Sequence, residues 1–127
     1  MSNFVHLHTH SEYSLLDGLS KPRAMAERAS ALGQKAMAIT DHGNMHGAIV
    51  FYDACHAAGI KPIIGCEVYT AEAGDKDAGH LILLAADSVG YRNLNQIVSQ
   101  ASLTNFYRKP RVSREMLASW REGIIVL

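Results

Sequence analysis

Short apolar runs bounded by turn residues alternate with stretches whose apolar residues recur every three or four positions. This alternation constrains the fold of the chain more than any other feature of its sequence. The apolar runs fall at residues 4–8, 36–40, 62–69, 80–86 and 123–127, and each has the length of a strand. Between them, Met25, Ala29 and Leu32 share one helical face. So do Ala48, Phe51, Tyr52 and Cys55 in a helix starting near Met45, and Leu94, Ile97, Val98 and Ala101 further on. Asp17-Gly18 marks a turn, Ser20 offers a cap ahead of Pro22, and Gly33 and Gly59 are natural helix stops. Small polar residues at 71–79 predict a surface loop. The basic run Tyr107-Arg108-Lys109-Pro110-Arg111 predicts a turn before a short helix at about 113–120. Strands alternating with helices at this spacing predict parallel β/α units, in an open doubly wound sheet or a barrel.

The chain stops inside an apolar run, and five strands are too few to close a parallel barrel of about eight. Both features predict a truncated piece of a longer protein. With 127 residues, 48 % apolar and 19 % charged, the composition is that of one soluble globular domain at most. Twelve basic residues balance 12 acidic ones, so no net field draws nucleic acid and any such contact needs a local patch. Cys55 and Cys66 are too far apart for a CxxC motif. The first residues show no basic region leading into a long apolar run, and no stretch approaches the ~20 apolar residues of a membrane span. A reduced, cytoplasmic setting without membrane contact is the expectation.

Seven histidines are the unusual part of the composition, and their placement carries the chemistry. His8 and His10 stand two apart, so in an extended strand both imidazoles face one side. His6 shares that side, and alternation alone does not say which pair would bind a metal. His42 follows the second strand within Thr40-Asp41-His42-Gly43, Glu67 sits late in the third, and Asp17 lies in the turn after the first. In parallel β/α folds the carboxyl ends of the strands converge on one crevice, so these residues meet. His80 is the exception, because it enters its strand rather than leaving it. Mixed imidazole and carboxylate donors without a paired thiolate suit Zn, Mn or Fe.

Blander readings stand beside these. His8, His10 and His42 could be hydrogen-bonded core histidines, Asp17 could close an Asx turn ahead of Gly18, and His80 could simply open a strand. Glu67 resists such a reading, since a carboxylate buried in an apolar strand is costly unless paired. His46 and His56 read as solvated surface histidines, and Cys66 as a small core residue facing away from Glu67. The basic run reads as a solvated turn in preference to a contact with DNA or another subunit.

The segments His6-Leu7-His8-Thr9-His10-Ser11-Glu12-Tyr13-Ser14-Leu15-Leu16-Asp17-Gly18 and Ile39-Thr40-Asp41-His42-Gly43-Asn44 resemble the first two motifs of the PHP (polymerase and histidinol phosphatase) family. Gly59-Ile60-Lys61-Pro62-Ile63-Ile64-Gly65-Cys66-Glu67 is similar to the third motif. More narrowly, these segments resemble the form found in bacterial replicative DNA polymerases of family C. So do His80-Leu81-Ile82-Leu83-Leu84-Ala85, Gly90-Tyr91-Arg92-Asn93-Leu94, Phe106-Tyr107-Arg108-Lys109-Pro110-Arg111 and the final Glu122 to Leu127.

The resemblance implies an α/β fold in which residues 1–127 form the N-terminal portion of a truncated, distorted (β/α)7 barrel. It implies two or three divalent ions held by His8, His10, Asp17, His42, Glu67 and His80, with further ligands beyond Leu127. His6 and Asp41 are expected to support those ligands by hydrogen bonding, Asp41 by orienting an imidazole. For a longer parent it implies DNA-directed DNA polymerase activity with Mg in a later domain, and DNA, a sliding clamp and a proofreading exonuclease as partners. The module itself would support phosphoester hydrolysis or 3′–5′ proofreading. A stand-alone phosphatase acting on histidinol phosphate and a non-catalytic docking module are the competing readings.

Overall fold

The computed structural model describes residues 4–127; Met1, Ser2 and Asn3, where the segment read as free of a basic leader begins, lie outside it. After a bent and turned segment comes α1 (Pro22–Ala31), then β1 (Ala36–Ile39), α2 (Ala48–Ala57) and β2 (Lys61–Thr70). The remainder is β3 (Gly79–Ala85), α3 (Ser88–Leu103), β4 (Phe106–Tyr107), β5 (Lys109–Val112), α4 (Arg114–Ser119) and β6 (Ile124–Val126).

Pro22 opens α1 as its sequence predicts, because a missing N–H costs nothing in a first turn. Ser20 is not the cap. Lys21 occupies that position without a side-chain bond, while the Ser20 carbonyl accepts from Glu12 N and closes the preceding loop. Both α1 and α2 end in paired bonds around a left-handed glycine: Gly33 N to Ser30 O with Gln34 N to Ala29 O, and Gly59 N to His56 O with Ile60 N to Cys55 O. The second helix starts at Ala48, later than its apolar pattern suggests, and Tyr52 falls off the buried stripe of Ala48, Phe51 and Cys55.

The sheet is mixed. β1 pairs in parallel with the first half of β2, and β5 pairs in parallel with its end at Tyr69↔Arg111 and Thr70↔Val112. On the opposite edge, β3 runs antiparallel to β2 from Gly65↔Leu84 to Thr70↔Gly79, and β6 runs antiparallel to β3. The all-parallel expectation therefore fails at β3, and the physical reason lies in the connection. Residues 71–78 contain no helix, and a parallel crossover needs a dozen or more residues, usually helical. The run at 107–111, expected as a turn alone, is part of a β4–β5 hairpin that bends at Arg108 (φ 61°). The stretch at residues 4–8 forms a single bridge, His6 to Met37, rather than a continuous strand.

Apolar clusters hold these layers, a small one of Ala38, Ile82 and Leu84 within the sheet and two larger ones. One packs Met25, Ala29, Met37, Ile39, Phe51 and Cys55 between α1, α2 and β1. The other packs Cys66, Val68, Leu83, Leu94, Ile97 and Val112 between the sheet and α3. Cys66 thus faces the core, away from Glu67, as alternation requires.

Candidate metal centre

The first histidines are carried past the end of β1 by backbone bonds, with His6 O accepting from Ala38 N and Thr9 O from Thr40 N, each at 2.8 Å. From there the chain enters a loop tied internally by Ser14 N to Ser11 O and Gly18 N to Ser14 O. A side chain at Gly18 would stand 1.8 Å from the Ser11 carbonyl oxygen, so only glycine lets this loop close.

Asp41, 2 % exposed, fastens the loop to the strand end. Its carboxylate accepts from Ser11 N at 2.6 Å and from the Ser11 and Ser14 hydroxyls at 2.7 Å. Ser14 Oγ in turn accepts from His42 N at 3.1 Å. The structure therefore sets Asp41 against two serines and a backbone amide, where sequence analysis expects an imidazole. Three donors satisfy a charge that would otherwise be expensive to bury.

Four imidazoles close on Glu67. Its Oε2 lies 2.6 Å from His8 Nε2, 2.7 Å from His10 Nε2 and 3.7 Å from His42 Nδ1, and its Oε1 lies 3.0 Å from His80 Nδ1. His80 reaches the cluster because β3 is antiparallel: Tyr69↔His80 are register partners, so the start of β3 lies beside the end of β2. A second group forms alongside, with Asp17 Oδ2 at 2.9 Å from His42 Nε2 and 3.3 Å from His10 Nδ1. All six residues expected as ligands are thus brought together.

His6 is not among them. The chain bends at His8, which breaks the alternation. His6 instead packs edge-on to Phe4 and lines a shallow cavity with Ser20, Arg28 and Gln34.

The donor set fits divalent cations. One potential ligand atom from each of His8, His10 and Glu67, and likewise from His10, Asp17 and His42, lies within 4.8 Å of the others. The Nε2 atoms of His8 and His10 stand 3.2 Å apart and both meet one carboxylate oxygen of Glu67, so three potential ligand atoms converge on one point. His42 Nδ1 is buried with no hydrogen-bond partner among the described residues. Nitrogen and oxygen donors without thiolate suit Zn, Mn or Fe.

Burial pushes the Glu67 carboxyl up, but hydrogen bonds from His8 and His10 and the charge of His42 outweigh it, so its pKa is lowered. The hydrogen bond from His42 lowers that of Asp17, with burial opposing and the charges of His42 and His10 assisting. Both carboxylates are thereby held ready for a cation.

Sequence reasoning misses three contributors. Ser11 and Ser14 carry no signal beyond loop composition. Tyr69 does carry one, since it stands two residues after Glu67 and so faces the same side of the strand. Its ring stacks on His42 at 5.8 Å with a 12° interplanar angle and meets His80 edge-on at 5.1 Å. His46 and His56 are exposed, as read.

This chain belongs to the PHP domain family, whose pattern it matches over residues 6–127. Among its relatives is the DNA polymerase III subunit alpha of Treponema pallidum, 49 % identical over 134 residues that cover 98 % of this chain and 12 % of that protein. The corresponding protein of Borreliella burgdorferi is 44 % identical over 133 residues, with the same coverage. The chain therefore spans about an eighth of the length of these relatives, at 12 %. A solved amidohydrolase from Chromobacterium violaceum, with bound sulfate and no metal, superposes with a TM-score of 0.56 at 26 % identity, over 76 % of this chain and 34 % of that one. Among the described residues, no helix is long and apolar enough to cross a membrane.

Proposed function

We propose that His8, His10, Asp17, His42, Glu67 and His80 hold two or three divalent ions, Zn, Mn or Fe, and that the centre hydrolyses phosphoesters. The observation that carries this reading is the convergence of His8, His10 and His80 on Glu67, with the Asp17–His42 pair beside them. Bound ions supply such a centre with an acidified water and a clamp for phosphoryl oxygens. The chain's own part is orientation: Glu67 fixes three imidazoles, and Asp41 fixes the loop that brings Asp17 to His42.

The relatives support a further inference, that residues 1–127 are the N-terminal portion of a replicative polymerase alpha subunit, with further ligands beyond Leu127. Such a parent is a cytoplasmic DNA-directed DNA polymerase that uses Mg in a later domain. It works with DNA, a sliding clamp and a proofreading exonuclease, and the metal centre acts on the 3′ end of a strand.

Elemental analysis after dialysis against Zn, Mn or Fe, paired with an assay for 3′–5′ shortening of a single-stranded oligonucleotide, tests the reading. Bound metal and shortening are expected, and Glu67→Gln is expected to abolish both. Retention of no metal, with the oligonucleotide intact, would overturn it in favour of a docking module.

A further inference from the structure

The β4–β5 hairpin carries the only basic run in the sequence, and the fold docks its Pro110–Arg111 end on the rim of the centre while residues 106–109 stay exposed. Pro110 packs against Gly43, which follows His42. A side chain at Gly43 (φ 62°) would come within 2.8 Å of Pro110 Cγ and 3.4 Å of the Tyr69 ring. Lys109 then lies with its Nζ 4.3 Å from the centroid of Tyr69, the ring that stacks on His42 and abuts His80. One aromatic ring therefore separates this ammonium from two candidate ligands.

The hairpin is anchored for that placement by Arg111, 7 % exposed, whose guanidinium donates to the carbonyls of Asp75, Lys76 and Tyr107. Among the described residues, no carboxylate lies within ion-pair distance of Arg108, Lys109 or Arg111. Arg108 and Lys109 thus stand exposed and without an acidic partner beside the candidate metal centre, while Arg111 is taken up in anchoring the hairpin. The same hairpin exposes Phe106 (61 %) and Tyr107 (52 %), and the guanidiniums of Arg108 and Arg111 lie 5.5 and 4.8 Å from the Tyr107 centroid. Exposed aromatics interleaved with cations are the surface that single-stranded nucleic acid uses, bases stacking while phosphates meet the charges.

We propose that the β4–β5 hairpin is the strand-binding wall of the metal centre, with Lys109, seated on Tyr69, gripping a backbone phosphate next to the one held at the metals. The proposal rests on the phosphoester reading above and narrows it. The substrate is a phosphodiester strand bearing a further phosphate, rather than a small phosphomonoester. Tyr69 places the ammonium through a cation–π contact and limits its freedom before the strand arrives. Lys109 is accordingly a strand-binding residue, and Tyr69 the residue that positions it.

Fluorescence anisotropy tests the proposal. Labelled oligothymidylate and oligouridylate are titrated with the chain across a range of salt concentrations, in chelator so that no cleavage intervenes. Lys109→Gln is expected to weaken binding several-fold and to lower the slope of log affinity against log salt by about 0.7, the value for one phosphate contact on a single strand. Lys109→Arg should retain binding, and Lys35→Gln, at an exposed site ahead of β1, should bind as the unaltered chain does. Weakening on either strand supports the proposal. No measurable binding by the unaltered chain, equal binding by Lys109→Gln, or an equal loss in Lys35→Gln overturns it.

Cleavage of bis(p-nitrophenyl) phosphate by the metal-loaded, unaltered chain separates this inference from the hydrolytic reading. If Lys109→Gln loses strand binding while the unaltered chain cleaves nothing, hydrolysis fails and the wall stands. If the small diester is cleaved while Lys109→Gln binds normally, the wall fails and hydrolysis stands.

Discussion

Glu67 and Asp41 are both buried carboxylates near the same strand ends, yet their surroundings assign them different work. Glu67 is met almost entirely by imidazole nitrogens, which can exchange a proton for a metal, whereas Asp41 is met by serine hydroxyls and an amide, which cannot. Asp41→Asn keeps the shape but removes the charge that grips Ser11 and Ser14, so the loop bearing Asp17 loosens. Metal affinity, read by competition with a coloured chelator, should fall about 10–100-fold, the range for groups that orient ligands. Loss of all binding in Asp41→Asn would make it a ligand instead.

Acid should act on the metal-free chain through Glu67. Its pKa is lowered on folding, so its contribution to stability is present above its ordinary 4.5 and is lost as pH falls through the lower folded value. At this scale the sequence was informative about donors and silent about their supports. HxH, TDHG and a strand-borne Glu name the candidate donor atoms, but nothing in a loop serine announces the carboxylate it will hold.

The helices and inner strands follow from periodicity because their apolar residues do the packing; Leu94, Ile97 and Ala101 on α3 are buried as their spacing demands. β4 and β5 escape that logic. Their residues are Phe, Tyr, Lys, Pro, Arg and Val, with no alternation to read, and β5 joins the sheet through only two register pairs with β2. The direction of β3 was legible, since a loop without a helix points to a hairpin, but overall alternation argued more loudly for parallel units.

The buried faces also set the chemistry of the cysteines. Burial pushes the Cys66 thiol from its ordinary 9.0 up to about 12 and that of Cys55 up to about 11. Neither should react with iodoacetamide at about pH 8 in the folded chain, while both should react in denaturant, because the thiolate is the nucleophile. Mass spectrometry of the alkylated protein reads this directly, and labelling of the folded chain at Cys66 would contradict it. A thiol raised on folding stabilises fully below its ordinary value, so alkaline unfolding should begin above about pH 9 and deepen toward 12.

For the molecule as a whole, the cluster around Phe51 and the cluster around Leu83 lie on different parts of one sheet, and β2 runs past both. Phe51 is fully buried against α1 and β1, and Phe51→Ala should cost about 3–5 kcal/mol, read as a lower urea midpoint with unchanged slope. A loss under ~1 kcal/mol would mean that the site collapses around the missing ring.

The hairpin that turns β3 back along β2 has a kinetic consequence. His80 meets Glu67 across a local β-turnaround, whereas His8 must travel from 59 residues upstream to reach the same carboxylate. Loop-closure entropy grows with contour length, so the nearer partner is the cheaper encounter by roughly 1 kcal/mol. A complete chain refolding from denaturant is therefore expected to bring His80 to its buried acid early, with the amino-terminal pair closing on it afterwards.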